Sequence, residues 1–262
     1  MKRTAPMLWI EAEDSFPPVE EALGPDTDLP GLLAVGGELS LQRLEQAYRQ
    51  GIFPWYSEGQ PVLWWAPDPR MVLPTARFKL SRSLSKTLRR FLRAAECVIR
   101  VDHDLEQVMA ACAQSPRHGQ AGTWITAAMQ QAYSDWHRAG RVHSFEAWQG
   151  ETLVGGLYGV SIGRMFFGES MFSRCPDASK WALAALVAGC RRRGIDWIDC
   201  QQNTAHMASM GAAEVPRSQF VHHLAQACAV SDVEDWFYDP QDWLLLGIDP
   251  HLGAGGCAVR TL

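Results

Sequence analysis

The stretch RMFFGESMFSRCPDASKWALAALVAGCRRRGIDWIDCQ, residues 164–201, decides the fold of this chain. It begins with a predicted strand in which one acid, Glu169, stands among aromatic residues and methionines. A loop and an apolar helix follow, and a second strand ends in Asp199 and Gln201. Because a helix between two strands allows a parallel crossover, the stretch predicts two parallel strands in a mixed sheet with the helix on its face.

Upstream of this stretch, HSFEAW (143–148) and TLVGGLYGV (152–160) read as two further strands, with turns at Gly150 and Gly163. The order antiparallel meander, helix, strand resembles the central core of the GNAT acyltransferase fold. We therefore expect an α+β protein. A small N-terminal domain over residues 1–70 should be followed by a GNAT-like domain over residues 71–262, with a mixed sheet flanked by helices.

Composition narrows the function. A formal net charge of −5 argues against a protein that binds nucleic acid over its whole surface, although it leaves room for a local basic patch. The seven cysteines form no CxxC pair and no zinc spacing, so we expect no metal and a reducing compartment. The apolar run after Lys2 and Arg3 is broken by Glu11 and Glu13, too early for a signal peptide. We expect a cytoplasmic monomer without membrane contact.

A basic helix is predicted at SRSLSKTLRRFLRA, residues 81–94. Between residues 76 and 95 there is no acid, whereas Arg and Lys occur seven times. Leu84 and Leu88 belong to an apolar face, and another face carries basic residues at helical spacing: Lys86, Arg89, Arg90 and Arg93. A solvated surface helix usually mixes both signs of charge, so this face favours a polyanion, most simply a nucleic acid.

The segment GIFPWYSEGQPVLWWAPDPR, residues 51–70, is rich in aromatic residues, prolines and glycines and has almost no period. It predicts a rigid loop rather than a regular element. Two interpretations stay open: an aromatic plug between two domains, or stacking of Trp55 or Tyr48 on a nucleobase.

Glu169 is the first candidate for chemistry. Strand alternation places it on one face with Phe167 and Met171, unless Gly168 marks a bulge. A carboxylate among such neighbours is desolvated and needs a partner. It could satisfy backbone groups or an arginine, or it could receive an ammonium group from a ligand whose apolar part lies against Met171.

Asp199 and Gln201 are two residues apart on a strand, so the alternation predicts that they point the same way. Asp199 could be a turn or cap residue, or a reacting group at the split of the sheet. The start of the helix, SRCPDASK (173–180), contains no glycine of a CoA-binding loop, and Asp177 would repel a phosphate. This pattern predicts no CoA cofactor and, together with the basic helix, an acyl group delivered on a nucleic acid.

Several motifs in one order then resemble a known family, the leucyl/phenylalanyl-tRNA–protein transferases. The resemblance covers about residues 31–225 and is highly specific. Its motifs are GLLAVGGELS (31–40), YRQGIFPWYS (48–57), LWWAPDPR (63–70), GTWIT (122–126), LVGGLYGV (153–160), FFGESMFS (166–173), ASK (178–180), IDCQ (198–201) and HMASMG (206–211).

The resemblance implies transfer of Leu or Phe, with Met as a further candidate donor, from tRNA to the α-amine of proteins that begin with Arg or Lys. Such transfer marks proteins for N-end-rule degradation, and no cofactor is implied. Asp199 would be the catalytic acid, Gln201 its partner amide, and Glu169 the acid that holds the aminoacyl group. The resemblance further assigns an aminoacyl pocket of Leu157, Phe166, Met171, Leu183, Leu186 and Ile198, adenosine contacts at Tyr48 and Trp55, and tRNA contacts at Arg82, Lys86, Arg89 and Arg90.

The chemistry makes few demands, because an aminoacyl ester is already activated and an α-amine of pKa about 7.7–8.0 is partly neutral at pH 7. Asp199, oriented by Gln201, would take the proton of the attacking amine. Alternatively, it would only anchor the acceptor ammonium while the substrate shuttles its own proton. Two rival functions also stay open: a CoA-dependent GNAT acetyltransferase and a non-catalytic module that binds tRNA or peptides.

Overall fold

The computed structural model describes residues 6–115 and 123–250. These residues form a mixed α+β structure with two mixed sheets. The strands are β1 (Trp9–Ile10), β2 (Leu32–Gly36), β3 (Phe53–Pro54), β4 (Leu63–Trp65), β5 (Arg70–Pro74), β6 (Cys97–Val101), β7 (Val142–Gln149), β8 (Thr152–Ile162), β9 (Met165–Ser173), β10 (Trp197–Gln201) and β11 (Ala213–Val215). The α-helices are α1 (Leu41–Arg49), α2 (Arg82–Arg93), α3 (Leu105–Gln114), α4 (Ala127–Arg138), α5 (Ala178–Arg192), α6 (Ala205–Ser209) and α7 (Arg217–Ala229).

The smaller sheet has the strand order β1-β2-β4-β3. Two of its strands lie in the segment predicted to be an irregular loop, so that prediction is wrong for β3 and β4. Their partners explain the error: β4 pairs with β2, about 30 residues earlier in the chain, a contact that local patterns do not reveal. Pro54 fits because β3 is an edge strand, where a residue without an N–H group is tolerated.

The larger sheet has the order β11-β5-β10-β9-β8-β7-β6. Strands β7, β8 and β9 form the predicted antiparallel meander, and α5 crosses over to β10, which pairs with β9 in parallel. The two faces of the sheet carry different cores. Residues such as Phe166 and Leu157 pack with α5 on one face, whereas their neighbours Phe167 and Tyr158 pack with α1 and α4 on the other.

The ladder between β9 and β10 is short, and its end positions the site. The two strands pair only at Phe166 with Ile198 and at Phe167 with Asp199. Just beyond this point, the pairing of β9 with β8 shifts register, and the bulge leaves Glu169 between two paired residues. Because a bulge reverses the alternation, Met171 packs in the α5 core and not on the face of Glu169, which corrects the unbulged strand prediction.

The tail after α7 folds back onto the end of α5, where three consecutive arginines hold its backbone. Arg191 donates hydrogen bonds to the carbonyl oxygens of Thr75 and Leu245, and Arg193 donates to that of Asp235. Trp243 and Trp236 of this tail are buried. Each helix in the described ranges is too short or too polar to cross a lipid bilayer.

Candidate active site

A cavity of about 500 Å³ opens where the β9–β10 ladder ends, a size typical of small-ligand sites. Helix α5 covers one side, and Trp55 from the segment after β3 stands on another. Five of the six residues predicted for an aminoacyl pocket line this cavity. They are Leu157, Met171, Leu183, Leu186 and Ile198, and all are apolar.

Phe166, the sixth predicted pocket residue, lies deeper in the core than the cavity. It sits opposite Ile198 inside the β9–β10 ladder, where the strands are still closed, and its ring centroid is 5.5 Å from that of Trp236. The structure therefore places Phe166 among the residues that support the cavity wall from behind.

Glu169 lies at the polar end of the cavity with only 8% of its surface exposed. The Tyr48 hydroxyl donates to Glu169 Oε1 at 2.7 Å, and Gln201 Nε2 donates to the same oxygen at 3.2 Å. Tyr133 donates to Oε2 at 3.3 Å, and its hydroxyl also hydrogen-bonds that of Tyr48. Within residues 6–115 and 123–250, the hydrogen-bond partners of the Glu169 carboxyl group are thus two tyrosines and an amide, not the backbone or an arginine.

Burial raises the pKa of Glu169 to about 7, and the nearby charge of Asp199 acts in the same direction. The hydrogen bonds from Tyr48, Gln201 and Tyr133 oppose this rise because they favour the ionised form. Burial also raises the pKa of both Tyr48 and Tyr133, so both hydroxyls keep their protons at neutral pH. The result is a carboxyl group that changes charge near neutral pH beside two permanent donors.

Asp199 is fully buried, at 0% exposure, and pairs with an arginine that the sequence reasoning missed. Arg70 donates through Nε to Oδ1 at 2.8 Å and through Nη2 to Oδ2 at 2.6 Å, a two-pronged ion pair. A buried aspartate almost always needs such a partner. A candidate Asp199 inside a buried strand was therefore the available reason to search the sequence for a partner arginine or lysine. Arg70 also closes the motif LWWAPDPR, directly where β5 begins in the larger sheet.

Gln201 points differently from Asp199, contrary to the alternation prediction. The pairing of β10 with β5 shifts register between these two residues, and Gln201 adopts a left-handed conformation with φ of 60°. Its backbone N–H donates to Asp199 Oδ1 at 2.9 Å, while its side chain reaches Glu169. Because the strand breaks here, the two side chains point in different directions. Arg70 contacts Asp199, Asp199 accepts from the Gln201 backbone, and the Gln201 side chain contacts Glu169.

The two aromatic residues predicted to contact adenosine have different surroundings. Trp55 is half-buried and lines the cavity, with its ring edge-on to Trp65 at 5.5 Å. Tyr48 is 1% exposed. Its ring centroid lies 5.3 Å from that of Trp136 and 5.1 Å from that of Phe167. Stacking requires an open ring face, so the structure corrects Tyr48 from a stacking residue to a support of Glu169.

The basic helix α2 forms where it was predicted, with the Ser81 hydroxyl accepting from the Leu84 N–H at its start. Three of its four predicted tRNA contacts, Arg82, Lys86 and Arg90, are exposed. Arg89 is turned toward the tail and donates to the Gly247 carbonyl oxygen at 3.3 Å. The exposed basic stripe of α2 therefore includes Arg82, Lys86 and Arg90.

The start of α5 is already occupied by protein groups. Asp177 accepts from Thr87 of α2 at 3.0 Å and from Lys180 at 2.9 Å, and the Ser179 N–H donates to the Ser173 hydroxyl at 2.8 Å. A phosphate cradle needs free N–H groups at this position. The Ser179 N–H is thus not free for a phosphate.

Asp102, His137 and His143 form the closest grouping of potential metal ligands within residues 6–115 and 123–250. Both ring nitrogens of His143 face oxygen acceptors, Asp102 Oδ2 at 2.8 Å and the Gly140 carbonyl at 3.3 Å. His137 Nδ1 lies 2.7 Å from the Val142 carbonyl oxygen. These ring nitrogens already lie against oxygen atoms of the protein, so the grouping reads as a hydrogen-bond network.

The chain is similar to known proteins over most of its length. Residues 72–225 match the family model of the leucyl/phenylalanyl-tRNA protein transferase, and residues 37–68 match that of its N-terminal domain. A leucyl/phenylalanyl-tRNA–protein transferase of Methylibium petroleiphilum is 57% identical over 92% of this chain and 91% of its own. One of Leptothrix cholodnii is 59% identical over 88% of this chain and 91% of its own.

The chain is therefore an aminoacyltransferase that moves an aminoacyl group from tRNA to proteins. It belongs to the leucyl/phenylalanyl-tRNA–protein transferase family. Among solved structures, that of L-PGS from Bacillus licheniformis aligns with a TM-score of 0.36 and 11% identity, over 64% of this chain and 55% of that chain. A likeness this low carries no argument about the fold.

Proposed function

We propose that the protein transfers Leu or Phe, with Met as a further donor, to the α-amine of proteins that begin with Arg or Lys. The products would enter N-end-rule degradation. The observation that carries the proposal is the cavity that is apolar along α5 and ends at the buried carboxyl group of Glu169. Such a site suits an apolar amino acid whose α-ammonium meets the carboxylate.

We further propose a GNAT-like fold for the larger sheet and a domain boundary near residue 70. The antiparallel meander, the α5 crossover and the short parallel ladder of β9 with β10 support the first point. The strands up to β4 lie in the smaller sheet and β5 begins in the larger one, which supports the second. The C-terminal end of the second domain, residues 251–262, lies outside the described residues.

In this proposal the donor lies with its side chain against Met171 and Leu186 and its α-ammonium at Glu169. Tyr48 and Tyr133 hold the carboxyl group from the core side. Trp55 offers its ring at the cavity to the terminal adenosine. All these groups come from one chain, so we propose that a monomer is active, in the cytoplasm where aminoacyl-tRNA is found.

The reaction joins the acceptor nitrogen to the aminoacyl carbonyl carbon and breaks the bond from that carbon to the ribose oxygen. The amine loses a proton, and the ribose oxygen gains one as it leaves. Arg70 engages both oxygens of Asp199, which disfavours Asp199 as the direct proton acceptor. The geometry favours a supporting role, in which Asp199 holds Gln201 beside the reacting groups and the substrate shuttles its own proton.

The function can be tested by supplying the protein with labelled Leu-tRNA, Phe-tRNA, Met-tRNA or acetyl-CoA in separate reactions. The acceptors would be one protein made with an N-terminal Arg and the same protein made with an N-terminal Gly. We expect the label to move from the aminoacyl-tRNAs to the Arg protein only. Transfer from acetyl-CoA would establish the acetyltransferase instead, and tight tRNA binding without transfer would establish a binding module.

The exposed basic stripe leads to a prediction about tRNA affinity. Replacing Lys86 and Arg90 with Ala should weaken tRNA binding and lower the slope of log affinity against log salt by about 1 for each phosphate that the protein no longer neutralises. Filter binding across a salt series would measure both effects. Arg138→Ala, which removes an exposed arginine from α4, is the matched control and should leave the slope unchanged. A change in Leu-to-Phe preference with an unchanged slope would contradict the assignment.

The apolar wall leads to a prediction about donor preference. Met171 is half-buried and lines the cavity, so Met171→Trp should fill part of the space available to the larger donor. We expect the ratio of kcat/KM for Leu-tRNA over Phe-tRNA to rise by roughly tenfold. This is the discrimination that an apolar pocket achieves between substrates differing by one or two methylene groups. Competition between the two labelled donors would measure the ratio. Uncharged tRNA should bind as before, and an unchanged ratio would place the side-chain pocket elsewhere.

A further inference from the structure

We propose that Arg70 is a positioning residue for aminoacyl transfer, which sets the place of Gln201 by clamping Asp199. The inference rests on the proposed function, because it concerns the same site. Arg70 lies at the start of β5, whereas Asp199 and Gln201 lie at the end of β10, its antiparallel neighbour. It therefore holds the catalytic strand end from outside the cavity, since it is itself 2% exposed.

The surroundings of Arg70 hold its guanidinium plane in one orientation. The guanidinium carbon lies 4.8 Å from the ring centroid of Phe53 and 4.6 Å from that of Phe220. Its third polar arm, Nη1, donates to the Gly51 carbonyl oxygen at 3.0 Å. Contacts from β3, α7 and the loop after α1 thus fix the group, and only a planar, multi-donor cation can make all of them at once.

The clamp reaches the site through two further contacts. Asp199 Oδ1 accepts from Arg70 Nε and from the backbone N–H of Gln201. Gln201 sits in the left-handed region, which a residue other than glycine keeps only when its surroundings hold it there. Its side chain then meets Glu169 Oε1 at 3.2 Å. A shift of the guanidinium would move Asp199, release the Gln201 backbone and separate the amide from Glu169.

The first test is Arg70→Lys, which keeps one positive charge but loses the two-pronged contact. We expect kcat for Leu transfer to fall by about 10²-fold, as a small misplacement of reacting groups does, while KM for Leu-tRNA and for the Arg-starting protein stays within about twofold. Arg43→Lys is the matched control, because Arg43 is also buried and packs over an aromatic ring, with its guanidinium carbon 3.9 Å from the Phe16 centroid. It should lower the melting temperature but keep kcat.

A second test separates positioning from folding. Arg70→Ala leaves a gap between Phe53 and Phe220, and guanidinium chloride, at concentrations well below those that unfold proteins, should restore part of kcat. Urea, the neutral molecule of the same shape, should not restore it. Rescue of kcat at an unchanged melting temperature supports positioning, whereas rescue that only follows the melting temperature overturns the inference.

The two proposals fail in different ways. If the unaltered protein moves no label from Leu-tRNA, the proposed function fails. If the unaltered protein transfers Leu and folded Arg70→Lys keeps its kcat, the inference about Arg70 fails while the function stands. Equal losses of kcat in Arg70→Lys and Arg43→Lys would also overturn it, since the effect would then be one of stability.

Discussion

Asp199→Ala is expected to lower aminoacyl transfer by about 10²-fold and to lower the free energy of unfolding by about 3–5 kcal/mol. The loss of stability has a direct cause: Arg70 would remain buried and charged without its carboxylate partner. The loss of transfer follows because the Gln201 N–H would lose its acceptor and the amide its fixed position. A loss nearer 10⁴-fold would instead indicate that Asp199 takes the proton itself.

Two variants separate the two effects. Asp199→Asn keeps the volume and an acceptor for the Gln201 N–H, so it isolates the contribution of charge. The double variant Arg70→Met with Asp199→Leu replaces the whole pair by apolar groups, which often costs a protein little stability. We expect the melting temperature of this double variant to be close to that of the unaltered protein and its rate of aminoacyl transfer to stay low. Near-normal turnover in a folded Asp199→Ala protein that binds tRNA would remove Asp199 from the catalytic machinery.

The affinity for the aminoacyl donor is expected to rise with pH through about 7, the value to which burial raises the pKa of Glu169. Below that pH the carboxyl group is neutral and no longer attracts the α-ammonium of the donor. The difference in affinity between Leu-tRNA and uncharged tRNA, measured from pH 6 to pH 8, would show it. Glu169→Gln should abolish this pH dependence and lower kcat/KM for the donor.

The raised pKa of Glu169 also predicts how stability depends on pH. Stability should fall as pH rises, whereas the donor affinity should rise. The pKa of Glu169 rises from 4.5 to about 7 on folding, so the unfolded chain binds fewer protons than the folded protein between these pH values. The free energy of unfolding should therefore fall by about 3 kcal/mol through this group as pH rises from 4.5 to 7, and Glu169→Gln should remove that fall. Denaturant titrations at a series of pH values would measure it.

Glu146 provides a matched control for both measurements. It is fully buried in β7 and accepts hydrogen bonds from Ser144 and Trp148, away from the cavity. Glu146→Gln should alter stability and leave the pH dependence of donor affinity in place. If Glu146→Gln and Glu169→Gln changed donor affinity alike, the carboxylate of Glu169 would not be the group that meets the donor.

Local patterns predicted the parts of the fold whose contacts are local. The meander over β7 to β9 is made of neighbouring strands with turns at Gly150 and Gly163, and α2 combines a Ser81 cap with an apolar face. The short strands β3 and β4 were not predicted, because their partner β2 is distant in sequence. The predicted pocket residues met in one cavity, apart from Phe166, since they lie on one face of the sheet and on the helix that covers it.

By itself, the sequence determined the α+β class, the order of meander, crossover helix and strand, the family and the residues Glu169, Asp199 and Gln201 as candidates. These follow from periodicity and motif, which are properties of a linear chain. Tertiary structure alone decided their partners and directions. A bulge at Glu169 and a left-handed Gln201 reverse the strand alternation, and a buried Asp199 is satisfied by Arg70 from a strand 129 residues away in sequence. Ionic pairing and desolvation act through space, so only the folded chain reveals them.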